Sequence, residues 1–155
     1  AKFLDYTKIT AIDISEKALE VARQNALLNN VKIKFLLSDL FDNHELRTAN
    51  YELIISNPPY IASGESDSLE AEVRWEPRVA LDGGMEGLDF YRRIVNSAAV
   101  YLKDGGFLIT EIGFNQSKQI ENIFQKSENF KIIDVVRDYN NIERVIIAKK
   151  IRKNG

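Results

Sequence analysis

The chain contains no cysteine, which excludes disulfides and thiolate metal ligands. Histidine is almost as scarce. His44 is the only one, and its polar surroundings suggest a solvated side chain rather than a catalytic one. Neither a metal-ligating cluster nor a nucleophile–base pair stands out. No apolar run approaches the roughly 18 residues of a membrane span, and no signal peptide is visible. An excess of one charge is also missing. The 21 basic and 23 acidic residues leave a net charge of −2, which gives no general pull toward nucleic acid. Internal repeats and low-complexity segments are absent. Lack of cysteine is compatible with a reducing compartment, and a cytoplasmic location is expected.

What remains is ordinary for a soluble globular protein: 155 residues, 45% hydrophobic and 28% charged, enough for one domain. Lys8–Ile14 is β-branched and reads as a strand. Ser15 can cap the helix that follows, with Glu16 well placed in its first turn. Ala18, Val21, Ala22, Asn25 and Leu28 recur at helical spacing until Asn29-Asn30 stops the helix. Val31–Leu37 and Tyr51–Ser56 are further strands, separated by the polar stretch Asp39–Asn50. The apolar run of Tyr51–Ser56 suggests a strand covered on both faces. Ile61–Glu86 is a long connection with little periodicity, of the kind that usually carries function. Leu88, Tyr91, Ile94, Val95, Ala98 and Leu102 mark a helix that Asp104-Gly105-Gly106 should end. Phe107–Ile112 is then a strand and Gln116–Ser127 a helix. Phe130–Val136 and Arg144–Ala148 are strands close enough for an antiparallel hairpin. The order βαβ, β, loop, α, β, α, ββ predicts an α/β sheet with helices on both faces. The opening Ala1-Lys2-Phe3-Leu4 reads as the tail of an element already under way, so a longer parent is expected.

Three places could carry chemistry. Asp13 ends the first strand, at the edge where open α/β sheets bind ligands, and its two carboxylate oxygens suit a ribose diol. A turn or helix-cap role fits it equally well. Asp39, in Ser38-Asp39-Leu40-Phe41, also follows a strand. Its carboxylate could accept from the exocyclic amine of an adenine, with Leu40 or Phe41 over the ring; a plain loop Asp is the competing reading. Asn57-Pro58-Pro59-Tyr60 is more specific. The two prolines fix the backbone and leave free carbonyl acceptors. The Asn57 side-chain oxygen and the Pro58 carbonyl can hold the two donors of a planar NH2 group, with Tyr60 against its face. The alternative is a rigid turn and no more.

A cofactor edge paired with an amine-holding edge resembles class I S-adenosylmethionine-dependent methyltransferases. Two stretches narrow this. EPRVALDGGMEGLDFYRRI (Glu76–Ile94) and LITEIGFNQ (Leu108–Gln116) resemble the release-factor glutamine N5-methyltransferases, the HemK/PrmC type, and the likeness runs from Ala11 to Lys149. The resemblance implies a Rossmann-like sheet, mostly parallel, with a C-terminal antiparallel hairpin. It implies S-adenosyl-L-methionine as methyl donor, with S-adenosyl-L-homocysteine as product. Asp13 would bind the ribose, and Asp39 and Leu40 would line the adenine pocket. Asn57, near the methyl donor, would hold the substrate amide with Pro58, Pro59 and Tyr60. Asn57, Pro58 and Tyr60 would carry the catalysis without metal. The implied partner is a peptide chain release factor, methylated on the glutamine of its Gly-Gly-Gln motif, with no direct nucleic-acid or membrane partner.

The resemblance also implies a Gly-rich turn after a central strand, about 20 residues before the acidic residue. Only twelve residues precede Asp13 and none is glycine. Residues 1–155 are therefore expected to be the C-terminal part of a methyltransferase catalytic domain that lacks this strand and its loop. The isolated chain is expected to be inactive and to bind the cofactor weakly or not at all. Seven acidic residues in the 61–86 connection (Glu65, Asp67, Glu70, Glu72, Glu76, Asp82, Glu86) disfavour a phosphate backbone. Trp75 reads as a packing residue. Two other functions share part of this pattern: a nucleic-acid exocyclic-amine methyltransferase and a non-catalytic protein-binding remnant.

Overall fold

The computed structural model describes residues 7–47, 50–64, 75 and 77–152. They fall into two compact units, Ala1–Thr48 and Ala49–Gly155.

The first unit is a βαβ arrangement. Strand β1 (Thr10–Asp13) leads into helix α1 (Glu16–Leu28) and parallel strand β2 (Lys34–Leu37). Asp13 pairs with Leu37, so both strands reach the carboxyl edge together. The Asp13 carboxylate accepts from the Ser15 N–H at 2.7 Å, and the Ser15 hydroxyl accepts from the Ala18 N–H at 3.3 Å. Two successive side chains thus satisfy donors that would be orphaned at the helix start. Asn29 caps the far end, and Asn30 adopts a left-handed φ of 52°. The buried face differs from the expected one. Leu19 and Ala26 are buried, while Val21 is 57% and Leu28 80% exposed. The helix is rotated so that the branched Leu19, rather than the smaller Ala18, reaches the core.

The second unit holds β3 (Tyr51–Ser56), β4 (Leu102–Glu111), β5 (Phe130–Arg137) and β6 (Glu143–Lys150). Their order is β3-β4-β6-β5. β3 and β4 run parallel, and β6 is antiparallel to both β4 and β5. The expected C-terminal hairpin is therefore present. Asp138 shapes its turn. Its carboxylate accepts from the Ile142 and Asn140 N–H groups and from Arg144, and these bonds, led by Ile142, hold its pKa below the usual carboxylate range.

A short helix α2 (Arg78–Leu81) precedes α3 (Asp89–Tyr101) and α4 (Ser117–Ser127). Tyr91, Ile94, Val95, Ala98, Ile120 and Phe124 are buried. Leu108 and Thr110 of β4, with their partners Ala148 and Ile146 of β6, are buried with them. Alternate residues point to the other face of the strands. There Leu53 is 44% and Ile55 70% exposed, and the alternate residues Ile54 and Ser56 are only half-buried, so β3 is less covered than its apolar run suggested.

Two other expectations change. Helix α3 ends at Tyr101, and Asp104-Gly105-Gly106 lies inside β4. The register passes from Tyr51↔Leu102 to Leu53↔Phe107, so the glycine pair forms a bulge, with Gly105 at φ +78°. Trp75 is 89% exposed rather than packed. β1 and β3 each stand at the end of a sheet order, with one edge unpaired among the described residues. No described helix is long and apolar enough to cross a membrane.

Candidate functional site

At the carboxyl edge of β1 and β2, the Ser38 N–H donates to the Asp13 carbonyl at 2.9 Å. The buried Ser38 hydroxyl donates to the Leu40 carbonyl at 2.8 Å and accepts from the Asn43 N–H at 3.0 Å. The Asn43 amide donates to the Leu37 carbonyl, also at 3.0 Å. This closed loop holds Leu40 at φ 50°, a conformation costly for a branched side chain. Beside it lies an open depression of about 340 Å³, lined by Ile14, Leu37, Ser38, Asp39, Asp42 and Asn43.

The sequence candidates are only partly gathered here. Asp39 lines the depression, and Asp13 adjoins it through Ser38 and Ile14. Leu40 and Phe41 are not in the lining; Ile14 and Leu37, 54% and 50% exposed, supply its apolar walls. One Asp13 oxygen serves the helix start, which is the turn role; a carboxylate has a second oxygen that could serve a ligand as well. His44 is exposed on a short 3₁₀ turn, His44–Leu46.

In the second unit, β3 delivers Asn57-Pro58-Pro59-Tyr60 to the carboxyl edge of its sheet. Pro58 is buried, Pro59 and Tyr60 are half-buried, and Asn57 is exposed. No hydrogen bond from a described residue engages the Asn57 side chain, whose carboxamide oxygen keeps its acceptor capacity. The backbone beyond it is closely held. The Ile61 N–H donates to the Leu81 carbonyl at 3.0 Å, and the Gly83 N–H to the Ile61 carbonyl at 2.8 Å. The Ser63 hydroxyl donates to the Asp82 carboxylate at 2.7 Å; this bond, with one from the Gly84 N–H, lowers the Asp82 pKa.

The glycines of the Asp82–Leu88 run are needed for close approach. A Cβ on Gly83 would lie 2.9 Å from both the Pro59 carbonyl oxygen and the Tyr60 Cα. On Gly87, at φ +71°, it would lie 2.3 Å from the Tyr60 carbonyl oxygen. The motif that distinguishes this sequence is thus the bed on which the tetrapeptide rests. Residues 65–74 and 76, with five of the seven acidic residues, lie outside the described set.

Two supporting side chains escaped sequence reasoning. Gln116 donates to the Tyr60 carbonyl at 2.9 Å, and the Glu111 carboxylate lies 3.4 Å from the Tyr60 hydroxyl. The Tyr91 hydroxyl donates to the Glu111 carbonyl at 3.0 Å, and burial pushes the Tyr91 pKa well up. The only signal for Glu111 and Gln116 was their place in the LITEIGFNQ stretch.

A family model described as "Methyltransferase small domain" matches residues 1–74. The release factor glutamine methyltransferase of Fusobacterium nucleatum is 44% identical over 155 residues, 99% of this chain and 43% of that protein. That of Thermodesulfovibrio yellowstonii is 41% identical over 92% of this chain and 51% of its own length. The chain spans about half the length of these curated relatives. Among solved structures, a methyltransferase from Pyrococcus furiosus superposes with TM-score 0.67 at 20% identity, covering 94% of this chain and 64% of that one. A release-factor-specific protein-(glutamine-N5) methyltransferase from Alicyclobacillus acidocaldarius gives TM-score 0.51 at 23% identity, covering 94% and 81%. The structural likenesses establish a class I methyltransferase fold. In sequence, the chain is similar to the release factor glutamine methyltransferases over about half of their length.

Proposed function

We propose that the full-length protein methylates the side-chain amide nitrogen of the glutamine in the Gly-Gly-Gln motif of a peptide chain release factor, with S-adenosyl-L-methionine as donor. The observation that carries this reading is the unengaged Asn57 carboxamide beside a proline-locked backbone. A glutamine NH2 has two donors in one plane. The Asn57 oxygen and the Pro58 carbonyl are suited to accept both, with Tyr60 against the amide face.

An amide nitrogen is a weak nucleophile because its lone pair is delocalised. Fixed acceptors orient that nitrogen and stabilise the positive charge that builds on it during alkylation. No side chain need remove the proton beforehand: as the N–CH3 bond forms, the sulfonium S–CH3 bond would break, S-adenosyl-L-homocysteine would leave, and the nitrogen would then release one proton to solvent, with no metal required. The residues of the first unit fit the donor's adenosine portion. Asp13 offers a carboxylate to the ribose hydroxyls, Asp39 one to the exocyclic amine, and Ile14 and Leu37 offer apolar walls. The cofactor supplies an electrophilic sulfonium methyl group; the chain supplies alignment. The net charge of −2 favours a protein substrate over a phosphate backbone. Such a substrate sets the enzyme in the cytoplasm.

Mass spectrometry of a release factor incubated with full-length enzyme and S-adenosylmethionine tests the reading. One added methyl mass on the Gly-Gly-Gln glutamine is expected. Methyl transfer to RNA or DNA, with none to the factor, would replace it.

A further inference from the structure

We infer that Gln116 is a positioning residue for methyl transfer, fixing the Tyr60 end of the clamp through its carboxamide. This rests on the proposed reaction and goes beyond it by assigning a residue that touches neither substrate nor cofactor.

Gln116 caps helix α4, but no side-chain bond ties it to that helix. Its side chain turns to other segments instead. Nε2 donates to the Tyr60 carbonyl at 2.9 Å and lies 3.5 Å from the Gly87 carbonyl. Oε1 accepts from the Gly113 N–H at 3.1 Å. One half-buried carboxamide therefore joins three segments: the tetrapeptide, the glycine-rich bed and the turn after β4. The surrounding glycines leave room for this and nothing larger. A Cβ on Gly113 would fall 2.5 Å from Gln116 Oε1 and 3.0 Å from the Tyr60 ring. A Cβ on Gly87 would fall 2.7 Å from Gln116 Nε2.

The consequence for chemistry lies in which acceptors stay open. Tyr60 carries the last carbonyl of the tetrapeptide, and Gln116 engages it. The Asn57 side chain keeps its acceptor free of any described donor. Gln116 thereby fixes one end of the clamp while leaving the Asn57 end open to a substrate amide. It also sets the height of the Tyr60 ring, because the carbonyl and ring share one residue. Misplacing such a group by about 1 Å can cost on the order of 100-fold in rate.

Gln116→Glu isolates the claim. It keeps the size and the acceptor for Gly113 but removes the donor to Tyr60. In the full-length enzyme, kcat for glutamine methylation should fall roughly 10- to 100-fold. The KM for S-adenosylmethionine should stay within about twofold. Acidification from about pH 7 to 5 begins to protonate the new carboxyl and restores a donor, so the Gln116→Glu rate should recover relative to wild type. The Gln116→Ala rate should not. Amide hydrogen exchange at Ile61 and Gly83 should speed up on the order of tenfold in Gln116→Glu, the loss of one hydrogen bond.

A wild-type kcat in Gln116→Glu overturns the inference. So does a parallel loss of kcat, cofactor affinity and melting temperature, which marks a general packing defect. If wild-type enzyme fails to methylate release factor, the proposed function fails instead. Exchange then decides alone: unchanged protection at Ile61 and Gly83 overturns the role of Gln116, and lost protection supports it.

Discussion

The side-chain hydrogen bonds around Asp13 and Ser38 span two to six positions in sequence. Those of Tyr60 span 51 and 56. One candidate edge is thus shaped by its own neighbours, and the other by segments folded in from far along the chain. A locally held edge can take its shape as soon as its βαβ segment forms. The clamp can do so only when β4, α4 and the glycine-rich bed are all in place. Long-range closure costs chain entropy, so the clamp depends on the packing of its whole unit.

Substitutions at the two edges should separate these behaviours. Among substitutions that act through packing, the largest effect is expected at Gly87. Gly87→Ala places a methyl group 2.3 Å from the Tyr60 carbonyl oxygen at a left-handed φ, so the bed must move. Methyl transfer should drop on the order of 100-fold, with roughly 1–3 kcal/mol of lost stability. Gly64→Ala, with nothing within 4 Å of the new carbon, should change neither. Equal effects in steady-state kinetics and denaturant melts would break the contrast.

Ser38→Ala comes next. It removes the bonds to Leu40 and Asn43 and should destabilise the first edge by about 1–2 kcal/mol. Cofactor KM should rise while exchange at Ile61 and Gly83 stays unchanged. Loss of protection at Ile61 would show that the edges are not independently held.

The smallest effect is expected at Tyr91. Its folded pKa is raised by burial, so its contribution to stability is complete below the ordinary tyrosine pKa of about 10 and declines as pH rises past it. Tyr91→Phe should cost about 1 kcal/mol at neutral pH and flatten the alkaline decline in a pH series of thermal melts. An unaltered alkaline slope would argue against it.

The same local–distant contrast explains what could be read in the sequence. Ser15, Asn29-Asn30 and the Asp138–Asn141 turn act on their own neighbours, and their patterns gave the helix bounds and the hairpin. Asn57–Tyr60 could be singled out as a candidate because proline rigidity and amide chemistry are properties of the tetrapeptide itself. Gln116 was not, since nothing near it in sequence predicts a partner 56 residues away. Asp104-Gly105-Gly106 was misread for a related reason. A glycine pair serves a helix end and a strand bulge equally well, and only the register of β3 against β4 decides. The exposure of Leu53 and Ile55 also depends on sheet partners that an apolar run cannot specify.

That the Asn57 carboxamide aligns a glutamine amide is the proposal on which the reading of this edge stands. Its most direct test is the single-turnover rate of methyl transfer to the release-factor glutamine by wild-type enzyme and Asn57→Ala. Asn57 is exposed and its side chain bonds to no described residue, so the variant should fold normally. Its rate should fall roughly 100- to 1000-fold, the scale of losing one preorganised group at a reacting centre. A wild-type rate in Asn57→Ala would contradict the account.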